Sequence, residues 1–367
     1  MGAFAIALPL LSTLALGGAP DFRVPGPEER RRAIGDTSDL PEALRRALDP
    51  AAGFEPIPKP GPMDWLAQHP ESGQTFEEFR RARRNCPTLK QAVLYLQPLG
   101  ALGGAGAPSL DTLREFAEAF FAMPTKILDP VALEPEKFTT RLNAFTGKRQ
   151  FLTTDLLQFL EKRLPEDAFS LLGITLEDLY PDPRWNFVFG QALVLRRVGV
   201  YSFARYDPAF DGSPREKGFE KLVLERSCRV LAHEAGHMFG LRHCVYFRCL
   251  MNGSNHLREA DTMPLHLCPV CLRKLQSSVR FDAAARYRNL RDFFAKVGQE
   301  EEAAWTEARL RDIEGGAAGG AARQGQSRDD PVSSPGRGVE ARAGSRQTGG
   351  RRPARGGGAR EARGSRG

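Results

Sequence analysis

The sequence predicts a mixed α/β (α+β) domain: a mostly parallel sheet backed by helices, with the chemistry-bearing helix late in the chain. Three observations predict it. Apolar runs of strand length, Ala92–Leu96 and Phe169–Thr175, alternate with segments of helical spacing, Leu110–Ala122 and Thr154–Arg163. An aromatic and β-branched run, Val198–Arg205, comes next. A long helical segment carrying H-E-x-x-H follows it. With 367 residues, 41% of them hydrophobic, the chain can build one medium domain with a sizeable core, plus appendages.

Taken in order, residues 1–19 are apolar and uncharged, short for a membrane span, and interrupted by Pro9. Their length and the small residues at Ala15-Leu16-Gly17 fit a secretory signal, but no Lys or Arg precedes the apolar run. The balance favours a cytoplasmic or nuclear protein without a transmembrane anchor; secretion follows only if residues 1–17 act as a signal peptide. Residues 20–89 form a Pro/Arg-rich arm with helical patches at Pro41–Leu48 and Thr75–Arg84, and their prolines predict loose attachment. Cys86 reads as a free thiol and His69 as a structural or surface histidine.

The folded body is placed at residues 90–312. Ala92–Leu96 is a short buried strand. Leu110, Leu113, Phe116 and Phe120 make one helical stripe. Lys126–Leu128 is a second strand, and Phe145–Gln150 holds a Thr-Gly turn. Thr154 or Asp155 caps the next helix. Phe169–Thr175 is the central strand, followed by strands at Asn186–Phe189 and Val198–Arg205. The motif helix starts near Lys217 or Gly218 and ends at Gly240, with Leu222, Cys228, Leu231 and Phe239 in the core. Lys274–Val297 reads as one amphipathic helix. Residues 313–367 are built from Gly, Ala, Ser and Arg and lack apolar residues to bury, which predicts disorder. From residue 315 on, eleven Arg, no Lys and four acids give +7, the net charge of the whole chain, so the body is formally neutral. Such a tail supports at most weak, salt-sensitive contacts with acidic partners or nucleic acid.

The stretch His233–Cys271 carries the chemistry. Residues four apart share a helix face, so His233 and His237 can bring two imidazoles to one metal, with Glu234 placed as a general base toward water. Gly240 suits a helix stop, after which His243 can return as a third ligand. Three protein ligands leave one tetrahedral position open, the arrangement of a catalytic zinc. Cys244, Cys249, Cys268 and Cys271 form C-x4-C and C-x2-C pairs that suit a closed, structural zinc. The alternatives for them are a disulfide pair or a redox C-x-x-C. A redox motif leaves the first pair unexplained, and disulfides leave the adjacent histidines unexplained. Cys228 reads as a buried apolar thiol. His256 and His266 read as structural, His266 with the further option of orienting a ligand.

The run H-E-x-x-H-x-x-G-x-x-H-C-x4-C-x-M followed by C-x-x-C resembles the archaemetzincins, metzincin-like zinc metallopeptidases. Gly173–Ala192, Val198–Tyr206 and Met63–Glu71 extend the resemblance over roughly residues 60 to 295. It implies a metzincin-like mixed sheet with an active-site helix and a smaller C-terminal subdomain. It also implies two zinc ions, one held by His233, His237 and His243 with Glu234 as base, the other by the four cysteines. Met251 would be the methionine of the turn beneath the metal. Val198–Tyr206 would be an edge strand along the cleft, against the plainer reading of an interior strand. The implied activity is aminopeptidase-like cleavage of a peptide or protein substrate. The tyrosine that some metzincins carry after the methionine is absent from Asn252-Gly253-Ser254-Asn255, so any such donor comes from elsewhere. Two other classes compete. A non-catalytic zinc-stabilised interaction module with a basic tail would not need Glu234. Nucleic-acid binding through the cysteines would want more cations than Arg258 between Leu250 and Cys271.

Overall fold

The computed structural model describes residues 22–104 and 106–315; the apolar leader and the Arg/Gly tail lie outside them. The chain enters through four short helices, α1 (Pro27–Ile34), α2 (Glu42–Ala47), α3 (Trp65–Gln68) and α4 (Phe76–Arg81). Contrary to expectation, this arm is not loosely attached. Ala33, Ala47 and Phe79 are fully buried, and Trp65, Leu66 and Phe76 nearly so. The Arg273 guanidinium donates to the Ile34 carbonyl, Lys274 donates to the Gln74 carbonyl, and Pro56 bridges Phe247. The prolines stiffen the connections between apolar anchors, and the anchors decide where the arm sits.

The body follows as β1 (Val93–Leu99), α5 (Leu110–Phe121), β2 (Thr125–Ile127), β3 (Thr140–Leu142), β4 (Arg149–Leu152), α6 (Thr153–Glu161) and β5 (Ala168–Thr175). Next come β6 (Asp178–Tyr180), β7 (Gly190–Leu193), β8 (Val198–Ser202) and the 20-residue α7 (Phe219–Met238). The main sheet has the order β2-β1-β5-β8-β7, with β7 antiparallel and the rest parallel. A smaller sheet runs β3-β4-β6. Helices cover both faces of the main sheet, so its strands are apolar on both sides. Leu94, Leu96, Leu172 and Ile174 pack into the larger core with α5 and α7, while Tyr95, Leu171, Val198 and Val200 face α6.

Several expectations are corrected. Val198–Tyr206 is not an edge: β8 lies between β5 and β7, and the edge strand on that side is β7. Asn186–Phe189 is not a regular strand: the Trp185 and Asn186 carbonyls are taken by Arg141 and Gln150 side chains, Val188 makes only an isolated bridge to Leu179, and the named strand begins at Gly190. Helix α6 starts at Thr153 without a side-chain cap, and the Asp155 carboxylate instead accepts the Thr139 N–H at 2.7 Å. Leu222 is only partly buried; its neighbour Val223 enters the core. Beyond α7 come α8 (Leu257–Asp261), α9 (Pro269–Val279), α10 (Ala283–Lys296) and α11 (Glu300–Glu314). The single helix expected over Lys274–Val297 is therefore two, broken where Arg280 turns left-handed at φ 64°. Helix α11 runs past residue 312, the limit set for the body. Among the described residues, no helix is long and apolar enough to cross a membrane.

Candidate metal centre

Helix α7 ends as expected: Gly240 has φ 85°, and the chain turns back so that His243 faces the helix. The rings of His233 and His237 lie 4.6 Å apart, and His243 is 5.4 and 5.3 Å from them. Each Nδ1 has an oxygen partner. His233 Nδ1 meets the Leu250 carbonyl at 3.0 Å, His237 Nδ1 the Leu241 carbonyl at 2.7 Å, and His243 Nδ1 the Glu71 carboxylate at 2.9 Å. A carbonyl only accepts, so His233 and His237 carry their protons on Nδ1 and expose bare Nε2 lone pairs. Those two Nε2 atoms stand 3.0 Å apart, and His243 Nε2 is buried without a hydrogen-bond partner among the described residues. Facing lone pairs repel; a cation among them removes the conflict. Burial first, and then the neighbouring imidazoles, hold His233 well below the usual histidine range and His237 down to about 3. This keeps the His233 and His237 imidazoles neutral, with Nε2 ready to donate its lone pair. The three nitrogens lie within 4.8 Å of one another, and tetrahedral ligands about 2.1 Å from zinc are separated by about 3.4 Å.

Glu234 is fully buried, and among the described residues neither carboxylate oxygen has a hydrogen-bond partner. Burial raises its carboxyl to about 8. It lies against the first residue of edge strand β7: a Cβ on Gly190 would be 2.9 Å from Glu234 Oε1. A small apolar cavity opens beside His233 and Glu234, walled by Phe189, Tyr206, Val230, Leu250 and Met263.

The four cysteines are all buried and unbonded to one another, with their sulfurs within 4.8 Å; about 3.8 Å is the edge of a tetrahedron of sulfurs 2.3 Å from zinc. The disulfide alternative is not the form seen. Backbone N–H groups of Met251 and Cys268 point at Cys249 Sγ, 3.5 and 3.3 Å away. Hydrogen bonds among the cysteines hold Cys244 well below the ordinary thiol value against the opposing effect of burial, while burial pushes Cys249 and Cys268 up.

Met251 is buried beneath α7; a Cβ on Gly236 would come within 2.6 Å of its sulfur. Its carbonyl accepts the Cys244 N–H at 2.8 Å. Asn252 bonds the carbonyls of Cys244 and Phe247 and accepts the Cys249 N–H, locking the loop between the two clusters. Sequence reasoning missed Asn252 and Glu71. Glu71 had one signal, its place in the Met63–Glu71 stretch, but no spacing rule links it to His243. Burial opposes ionisation of Glu71, and the hydrogen bond and charge of His243 outweigh it, leaving the carboxyl below its usual value.

The remaining candidates fall outside these clusters. Cys228 is buried and its thiol is pushed up by burial, and Cys86 is exposed. His69 lies on the Trp65 ring, centroids 4.3 Å apart. The His266 ring stacks on Trp305 at 3.4 Å and bonds Glu302 at 3.1 Å, so it orients no cysteine. His256 joins Asp64 and Glu259 in a third ligand-like group. There its Nδ1 accepts the Glu259 N–H and its Nε2 faces Asp64 at 3.3 Å, so its proton is on Nε2 and no lone pair is left for an ion.

Residues 145–277 match Peptidase family M54. Archaemetzincin-2 of Mus musculus is 42% identical over 275 residues, which cover 67% of this chain and 77% of that protein. Archaemetzincin-1 of Mus musculus is 37% identical over 255 residues, covering 62% of this chain and 51% of that protein. The solved archaemetzincin of Methanopyrus kandleri shares 30% identity, with a TM-score of 0.41, over 53% of this chain and 99% of its own.

Proposed function

The chain belongs to the archaemetzincins, a family of zinc metallopeptidases, and we propose that it hydrolyses peptide bonds, aminopeptidase-like, with His233, His237 and His243 as zinc ligands and Glu234 as general base. Cys244, Cys249, Cys268 and Cys271 hold a second, structural zinc, and Met251 forms the floor of the first site. When bound, the catalytic metal supplies Lewis acidity toward water and the scissile carbonyl. The three imidazoles, their Nδ1 protons donated outward, present Nε2 inward and fix the site's geometry. Glu234 takes the proton from the attacking water and returns it to the departing amine. The carboxylate this role needs would be favoured, against the burial that raises the Glu234 carboxyl, by a metal held by His233, His237 and His243. An extended peptide adds itself to the open edge of β7, which passes directly beside Glu234. The apolar cavity next to Glu234 receives a side chain flanking the cleaved bond.

The observation that carries this reading is Glu234: a fully buried carboxylate with two unpartnered oxygens beside three converging imidazoles. A binding module does not need to bear that cost. The test compares wild type with Glu234→Ala on a panel of short peptides, with zinc quantified in both. Two zinc ions in each protein, with hydrolysis by wild type alone, are expected. Equal cleavage by both proteins removes Glu234 from the chemistry.

A further inference from the structure

We propose that Glu71, supplied by the arm that precedes the sheet, is a positioning residue for the third ligand of the metal centre. The assignment rests on the zinc-site reading of His243. Its geometry is direct. Glu71 Oε1 accepts from His243 Nδ1 at 2.9 Å and from Trp65 Nε1 at 2.7 Å. The Nδ1 side of the imidazole is opposite Nε2, so Glu71 does not reach the metal position; it acts through the ring. An anionic acceptor at Nδ1 fixes the tautomer that leaves Nε2 free and makes that nitrogen a better donor.

His243 needs such a partner more than the other two. His233 and His237 sit on α7, where helical backbone sets their direction, and each gives Nδ1–H to a main-chain carbonyl. His243 lies in the loop after Gly240. Its ring is held edge-on by Trp65, centroids 5.2 Å apart, and by the Glu71 carboxylate. Trp65 is itself fixed: its backbone N–H donates to Glu259 at 2.9 Å, next to the post-methionine loop. Among the described residues, Glu71 is the one carboxylate bonded to any of the three histidines; the other two have neutral carbonyls. The arm is thus part of the metal site. A chain beginning near Lys90, where the sequence places the folded body, would lack both Trp65 and Glu71.

The test uses the full chain, with Glu71→Ala and the nearly isosteric Glu71→Gln. Zinc affinity is measured by chelator competition, and the histidine site is read by visible absorption after cobalt(II) substitution. Glu71→Ala should weaken zinc at the histidine site by ~10–100-fold and shift the cobalt spectrum. Glu71→Gln should fall between, because its amide oxygen still accepts but carries no charge. The cysteine site, read by sulfur-to-cobalt charge transfer, should be unchanged in both. Should Glu71→Ala fail to fold, Glu71→Gln decides alone. Wild-type zinc affinity and cobalt spectrum in the folded variants would overturn the proposal, even if their thermal stability fell. A wild type that loads only the cysteine site would instead overturn the zinc-site reading, and the role of Glu71 with it.

Discussion

Gly236→Ala tests the contact between the motif helix and the methionine beneath it through the sign of one stability change. Glycine inside a helix costs roughly 1 kcal/mol relative to alanine, so an exposed Gly236→Ala would stabilise the protein by about that amount. Here the added Cβ would stand 2.6 Å from Met251 Sδ and 3.1 Å from its Cε. Ordinary contact begins near 3.5–4 Å, so Met251 must move by about 1 Å. It is fully buried, with its carbonyl fixed by the Cys244 N–H, and overpacking of this kind costs about 1–3 kcal/mol. The net expectation is a loss of about 0–2 kcal/mol, read from urea unfolding of the zinc-loaded protein. Displacing Met251 also disturbs the loop to Cys244 and His243, so peptide hydrolysis should fall further than stability does. In Met251→Ala the space under Gly236 opens, and adding Gly236→Ala there should recover the full helical gain. A single Gly236→Ala that stabilises by about 1 kcal/mol with unchanged activity would refute the packing argument.

Three other outcomes follow from the same contacts. Cys268→Ser should lower zinc content at the histidine site as well as at the cysteines, because Cys244 and His243 are adjacent; metal analysis finding one zinc and wild-type hydrolysis would refute the coupling. Asp178 meets Arg205 through two bonds of 2.7 Å in a buried setting, so Asp178→Ala should cost about 3–5 kcal/mol in urea unfolding by stranding the guanidinium. Glu302 is held below the ordinary glutamate value of 4.5: burial opposes this, but the hydrogen bond and charge of His266 and the Leu265 N–H prevail. A depressed carboxylate stabilises the fold above its unfolded value and loses that contribution as pH falls through the folded value. Glu302→Gln should therefore flatten the decline in thermal stability below about pH 4.5, and an unchanged acid limb would count against the pairing.

The parts of the fold that repeat at a fixed period were readable in the chain. Leu110, Leu113, Phe116 and Phe120 announced α5, and the all-buried run Phe169–Thr175 announced the central strand, because periodicity reports burial directly. The histidine and cysteine spacings likewise placed both clusters. Contacts between distant segments left no such mark. Proline content in residues 20–89 suggested looseness, but Phe79 and Trp65 sit in the core, since a few anchors outweigh many prolines. The edge position of β7 depends on strand order, which Gly190–Leu193 cannot encode by itself. The break at Arg280 is a non-glycine left-handed residue, a place where packing overrides local preference.

The centre of the site is organised around its least constrained member. Two of the three histidines come from a helix, and main-chain carbonyls hold their Nδ1 atoms. The third comes from a loop, and a loop histidine left alone would sample many orientations, at an ordering cost of order 1–2 kcal/mol for each backbone residue fixed. The chain offsets that cost from three directions. Cys244, next to His243, is tied into the cysteine cluster. The Cys244 N–H is bound by the Met251 carbonyl, and its C=O by Asn252. The imidazole itself is bound by Glu71. Each tie comes from a different part of the sequence: the cysteine knuckle, the methionine loop and the arm. Loss of any one should therefore be felt at the same nitrogen, His243 Nε2, and a metal-affinity measurement at that site reads all three.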